Sequence, residues 1–136
     1  MEDFEIRNGE LIRYTGPGGE VTVPAEVTII GQNAFANCTN LKKVTLPEGL
    51  TKIAADAFKN CTNLENLEIP AKVKTVGAFA FVNCTSLDLT VRGKKTKFAK
   101  MAVIDLDCRM IIFAPEGSTA QAYAEEKGLT FIALDE

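Results

Sequence analysis

The sequence predicts a solenoid, a single domain of stacked coils built mostly from short β-strands with short helical or 3₁₀ turns between them. Three observations carry this. Phe35, Phe58 and Phe81 stand 23 residues apart, and Cys38, Cys61 and Cys84 keep the same step, as do Leu41, Leu64 and Leu87. Each unit closes on a proline, at Pro24, Pro47 and Pro70. Ahead of that proline, apolar residues alternate as in Leu67-x-Ile69, the period of a strand with one buried face. Self-similarity at a fixed step marks a chain in which each unit covers the next.

The elements follow in order. Phe4 to Tyr14 reads as a hairpin around Asn8-Gly9, a pair suited to a tight primed turn. Gly16-Pro17-Gly18-Gly19 then leads into Val21-Thr22-Val23-Pro24, the tail of a partial unit. A full unit runs Leu50-x-x-Ile53-Ala54-x-x-Ala57-Phe58-x-Asn60-Cys61-Thr62-x-Leu64-x-x-Leu67-x-Ile69-Pro70. Its Ala57 to Cys61 stretch is too short for an isolated helix and reads as one helical or 3₁₀ turn. Proline ends each strand because it has no amide hydrogen for the ladder. The third unit loses one residue between Leu87 and Leu89, which leaves Arg92 in the proline column.

A worn fourth unit spans Gly93 to Pro115, with Phe98, Val103, Leu106, Ile111 and Phe113 assigned to apolar columns. Ser118-Thr119-Ala120-Gln121 opens a helix as a capping box. Ala120, Tyr123, Ala124 and Lys127 share one face, Gly128 ends the helix, and Thr130 to Leu134 forms a last strand. The expected organisation is one domain over 1–136, with a cap hairpin at 1–19, repeats at 20–115 and a helix-strand cap at 116–136. Covers at both ends suit a complete domain, since open sheet edges invite aggregation.

The phrase Ile30-Gly31-x-x-Ala34-Phe35-x-Asn37-Cys38-x-x-Leu41-x-x-Val44-x-Leu46-Pro47 resembles the BspA-type class of bacterial leucine-rich repeats. The resemblance covers about residues 20 to 134 with the end caps. It implies a right-handed leucine-rich-repeat solenoid, found in secreted or cell-surface proteins that bind host or matrix proteins. It supplies no catalytic residues. The chain departs from the usual form in its few repeats and degraded fourth unit.

Composition narrows the function classes. A net charge of −3 points neither to nucleic acid nor to an anionic membrane. No apolar run reaches the roughly 18 residues of a membrane span. The opening Met1-Glu2-Asp3-Phe4-Glu5 is acidic where a secretory signal is basic and then apolar. As written, that start suits the cytoplasm, whereas the resemblance implies export. The sequence has no histidine, the commonest general base. Ser86 and Ser118 therefore have no imidazole to activate them, and no glycine-rich phosphate loop is present. The expected molecule is not an enzyme, takes no cofactor and is a monomer that binds another protein.

Other motifs admit two readings each. Stacking brings Cys38, Cys61 and Cys84 toward disulfide range, yet all point inward, so free buried thiols are favoured. Asn37, Asn60 and Asn83 match the glycosylation pattern, but recurrence at the repeat step favours bonding to backbone at a turn. Asp105 and Asp107 hint weakly at a calcium ligand. Arg92, Lys94, Lys95, Lys97 and Lys100 form either a solvated wall or a patch for an acidic protein, glycan or phosphate, partly cancelled by Asp105 and Asp107.

The outward strand positions are the candidate partner-binding face: Thr22, then Lys43 and Thr45, Asn66 and Glu68, Asp88 and Thr90, Met110 and Ile112. Met110 and Ile112 suit a contact surface if exposed, and burial under the C-terminal cap is the other reading. The alternative to a recognition module is a structural scaffold or self-assembling element.

Overall fold

A computed structural model describes residues 3–103 and 109–134. The chain opens with β1 (Phe4–Arg7) and β2 (Glu10–Tyr14), an antiparallel pair in which Arg7 faces Glu10. Asn8 and Gly9 both hold positive φ, 51° and 82°, the pair of left-handed residues a primed two-residue turn requires.

The chain then passes alternately along two walls. Its strands are β3 (Gly19–Thr22), β4 (Ile29–Ile30), β5 (Leu41–Thr45), β6 (Lys52–Ile53), β7 (Asn66–Ile69), β8 (Thr75–Val76), β9 (Asp88–Val91), β10 (Lys97–Phe98) and β11 (Ile111–Ala114). Helix α1 (Thr119–Lys127) and strand β12 (Thr130–Ala133) follow. One sheet has the order β1-β2-β4-β6-β8-β10 and the other β12-β11-β9-β7-β5-β3. Every pairing after the hairpin is parallel. The equal steps of the sequence have become equal coils of a β-solenoid.

The turn between the two walls is where a helical piece is expected, and the amides there divide their bonds instead. Within one coil, Ala57 N, Lys59 N and Cys61 N donate to Ala54 O, Asp56 O and Phe58 O, three residues back. The intervening Asp56 N, Phe58 N and Asn60 N donate to Ala78 O, Ala80 O and Val82 O of the next coil. Every backbone N–H from Asp56 to Cys61 thus has an acceptor within the protein, which is how a segment too short to be a helix can pack against the interior. The alternation needs left-handed backbone at Asp56 and Asn60, and equally at Asn33, Asn37 and Asn83. Asparagine and aspartate tolerate that region better than other side chains. Gly77 serves the same stacking differently: a Cβ there would lie 2.5 Å from Ala55 N of the preceding coil.

The interior is a set of ladders. The rings of Phe35, Phe58 and Phe81 stack nearly parallel, with centroids 5.0 and 5.7 Å apart, and all three are fully buried. The hairpin closes this column, since Tyr14 sits 5.3 Å from Phe35 and Phe4 sits 5.3 Å from Tyr14. At the other end Tyr123 of α1 stacks on Phe98 at 5.0 Å. Ser118 Oγ accepts from Gln121 N, and Gly128 ends the helix at φ 72°. The reciprocal bond of the capping box lands one residue early, on Gly117 N at 2.7 Å. Cys38, Cys61 and Cys84 are free thiols.

The register of β11 departs from the sequence reading. Ile112 pairs with Leu89 and is fully buried, and Met110, one step on from Leu87, is 2% exposed. Ile111 and Phe113 pair with Asp88 and Thr90 and face outward, half-buried. A one-residue slip in strand assignment exchanges the two faces. The bulky Ile111 and Phe113 look like core residues, but small Ala114 takes the inward place, where α1 packs over the strand. The expected places of Leu106, Asp105, Asp107 and Cys108 lie outside the described residues.

Candidate functional site

Both sheets have six strands, but the one that holds β3, β5, β7, β9, β11 and β12 has strands of four or five residues throughout and is the larger. It turns a row of alternate side chains outward, because period two sends Val44, Leu67 and Leu89 inward and their neighbours out. Lys43, Thr45, Asn66 and Glu68 are exposed, and Asp88 and Thr90 are half-buried. Together they line a groove of about 380 Å³ that crosses β5, β7 and β9. Among the described residues, only Glu68 of this set has a side-chain partner: its carboxylate accepts from Arg92 Nε at 2.7 Å. The others are free to bond with something else.

Met110 and Ile112 do not belong to this face. Both are buried, so the expected outward placement is wrong and the alternative reading, burial, is right. The C-terminal end of the face is nevertheless apolar. Phe113 of β11 pairs with Ile132 of β12, and Ile132 is 44% exposed. With Ile111 these side chains make a corner of apolar surface beside the polar groove. The sequence reading missed Ile132 because nothing local says that β12 joins the sheet next to β11.

The basic run is divided by the fold. Arg92 leans toward the large sheet through Glu68, while Lys94, Lys95, Lys97 and Lys100 are exposed on the other side of the chain. Lys95 and Lys97 meet Lys72 and Lys74 of the preceding coil along a second groove of about 560 Å³. Lys72 and Lys74 went unnoticed in the sequence because they are unremarkable within their own unit. Laying the units over one another in register would have put them beside the run. Lys94 instead contributes its carbonyl, which accepts from Thr119 N at the start of α1.

The repeated asparagines bond to one another and not to backbone. Asn60 Nδ2 donates to Asn37 Oδ1 at 2.7 Å, and Asn83 Nδ2 donates to Asn60 Oδ1 at 3.0 Å. The thiols of Cys61 and Cys84 donate to Phe35 O and Phe58 O, each at 3.1 Å. Burial pushes the Cys61 thiol far above its ordinary pKa, with the neighbouring Cys84 adding to the effect. A thiol held protonated is a poor nucleophile. No group of histidine, cysteine and carboxylate side chains among the described residues is placed to hold a metal ion. No helix there is long and apolar enough to cross a membrane.

One exposed aromatic breaks the pattern of its column. Phe79 holds φ 61° where the preceding coils place Asn33 and Asp56, and it is 37% exposed. A bulky residue in that region is strained by on the order of 1 kcal/mol.

A family model described as BspA type leucine rich repeat region matches residues 14–123 in 6 copies. No curated protein matches the chain. Among solved structures, a leucine rich cell surface protein of Faecalibacterium prausnitzii A2-165 is 28% identical with a TM-score of 0.65, covering 85% of this chain. The pneumococcal vaccine antigen PcpA is 15% identical with a TM-score of 0.48, covering 98% of this chain. The matches cover 35% and 46% of those two chains, so this chain spans well under two thirds of either.

Proposed function

Because the chain belongs to the BspA type leucine-rich-repeat family, we propose that it is a non-catalytic recognition module that binds another protein through the outer face of its larger sheet. The observation that carries this is the row of outward side chains that folding leaves unspent. Lys43, Thr45, Asn66, Asp88 and Thr90 make no side-chain hydrogen bond or ion pair among the described residues, and they run into the apolar corner of Ile111, Phe113 and Ile132. An apolar anchor beside satisfiable polar groups is the usual anatomy of a protein interface. A rigid sheet also holds those groups in place before the partner arrives, which lowers the entropic cost of binding.

The relative from F. prausnitzii is named as a cell surface protein, which supports host or matrix proteins as the class of partner. The test immobilises the chain beside a variant carrying Thr45→Arg, Asn66→Arg and Thr90→Arg. Both are exposed to extracellular-matrix and cell-surface protein extracts, and the retained proteins are identified by mass spectrometry. Proteins held by the natural face and lost from the variant are the expected result. Identical sets would reject the reading.

A second reading, self-assembly, draws on β12. Among the described residues it is the last strand of its sheet, with one edge unpaired and Ile132 exposed, and such an edge can template another strand. Sedimentation over a wide concentration range separates the two readings. A strict monomer removes self-assembly.

A further inference from the structure

The second groove, on the wall of the smaller sheet, is a separate feature that the sheet-face reading does not use. Lys72 and Lys74 come from one coil, Lys95 and Lys97 from the next, and the coils are joined where Lys97 N donates to Lys74 O at 2.9 Å. All four lysines are exposed, and no carboxylate lines the groove. None of the four has an ion pair among the described residues. The floor is built from buried Val73 and Thr96, and the Thr96 hydroxyl is already committed to Val73 O at 2.8 Å. The groove thus offers ammonium groups over an apolar base, with the lysine stems as its sides.

The spacing selects among anions. Within each coil the two lysines are two residues apart, so they leave the backbone at most roughly 7 Å from each other. An extended peptide presents its same-face side chains at a matching interval of roughly 6.6–6.8 Å. Lysines and no arginine line this groove, so an anion is held here by point charges at a set spacing and not by a planar bidentate fork. A net charge of −3 also opposes long-range capture of a large polyanion such as nucleic acid. A short acidic strand escapes that penalty, because screening confines its interaction to within about 10 Å at moderate salt.

We propose that this groove is a binding site for an extended acidic segment of a partner protein, with carboxylates at alternate positions seated on Lys72 and Lys74 of one coil or Lys95 and Lys97 of the next. The threonines at its rim, Thr51 and Thr75, flank the peptide backbone.

The probe is a fluorescent eight-residue peptide alternating glutamate and threonine, compared with its glutamine counterpart by anisotropy on the full chain. The glutamate peptide should bind at least about tenfold more tightly, and raising salt from about 50 to 500 mM should remove most of that difference. Lys95→Glu with Lys97→Glu should weaken binding by at least about tenfold, and Lys95→Gln with Lys97→Gln by less. Lys42→Glu, an exposed substitution on β5 that lines neither groove, should leave binding within about twofold, which ties the effect to this site and not to overall charge. All variants should keep the circular dichroism spectrum of the natural chain, because the substituted side chains are exposed. Equal binding of the two peptides would overturn the proposal, as would indifference to the Lys95 and Lys97 substitutions. Tighter binding of a sulfated oligosaccharide than of the peptide would overturn it as well.

Discussion

Asn60 does two jobs that the sequence motif around it conceals. It holds left-handed backbone at φ 63°, and its amide stands in the middle of the Asn37–Asn60–Asn83 ladder. The recurrence of asparagine at the repeat step was legible, and it correctly pointed to a structural use. The bonding partner was not legible, because it lies one coil away and emerges only on stacking. Alanine at this position should lose both contributions, at a cost of about 2 kcal/mol, while glycine should restore the backbone freedom and cost about 1. Urea denaturation of the two variants checks this, and equal losses would mean that the backbone conformation contributes nothing. The thiols give a second prediction at this scale. Cys61 and Cys84 are buried and Cys38 is half-buried, so a thiol reagent at neutral pH should label Cys38 well before the other two, as peptide mapping would read. Burial raises the pKa of both Cys61 and Cys38 in the folded state. Their contribution to stability is therefore complete below the ordinary thiol pKa of roughly 8.5 and declines as pH climbs above it, when the unfolded chain releases protons that the folded chain keeps. Denaturation midpoints that stay level for the natural chain between pH 8 and 10, or that fall equally when Cys61 is replaced by alanine, would contradict that assignment.

At the scale of elements, the end caps were legible and β11 was not, for a physical reason. The hairpin announces itself through Asn8-Gly9, and α1 through Ser118 and Gly128, all of which act on their own backbone. Strand β11 lies in Met110-Ile111-Ile112-Phe113-Ala114, a run in which every residue is apolar, so no alternation marks the inward face. The step from Arg92 to Pro115 fixes the register, and it puts Ile112 and Ala114 inside. An aspartate in place of Ile112 should cost at least about 4 kcal/mol or prevent folding, because it buries a charge without a partner. The same change at Ile111 should cost about 1 kcal/mol or less, since that side chain faces outward. Thermal denaturation of the pair decides the register, and the reverse ranking would restore Ile111 and Phe113 to the inward columns expected from the sequence.

For the molecule as a whole, the repeat made the architecture readable and left the sites half-written. Outward positions on β3, β5, β7 and β9 follow directly from alternation, so seven of the nine residues expected on the sheet face are there, all but Met110 and Ile112. The apolar corner comes from Ile111, Phe113 and Ile132, which only the docking of β12 beside β11 brings together. The lysine groove likewise joins residues from neighbouring coils that no local motif connects. In both cases the information lies in stacking, a long-range property to which a single unit is blind. Every such statement depends on the coils sitting squarely over one another. Nuclear Overhauser contacts between phenylalanine rings, in chains labelled at Phe35, Phe58 and Phe81, measure that directly. Stacked coils predict strong contacts from Phe58 to both neighbours, whose ring centroids are 5.0 and 5.7 Å away, and none between Phe35 and Phe81. Absence of the Phe58 contacts, or a direct one between Phe35 and Phe81, would contradict the stacking and everything placed upon it.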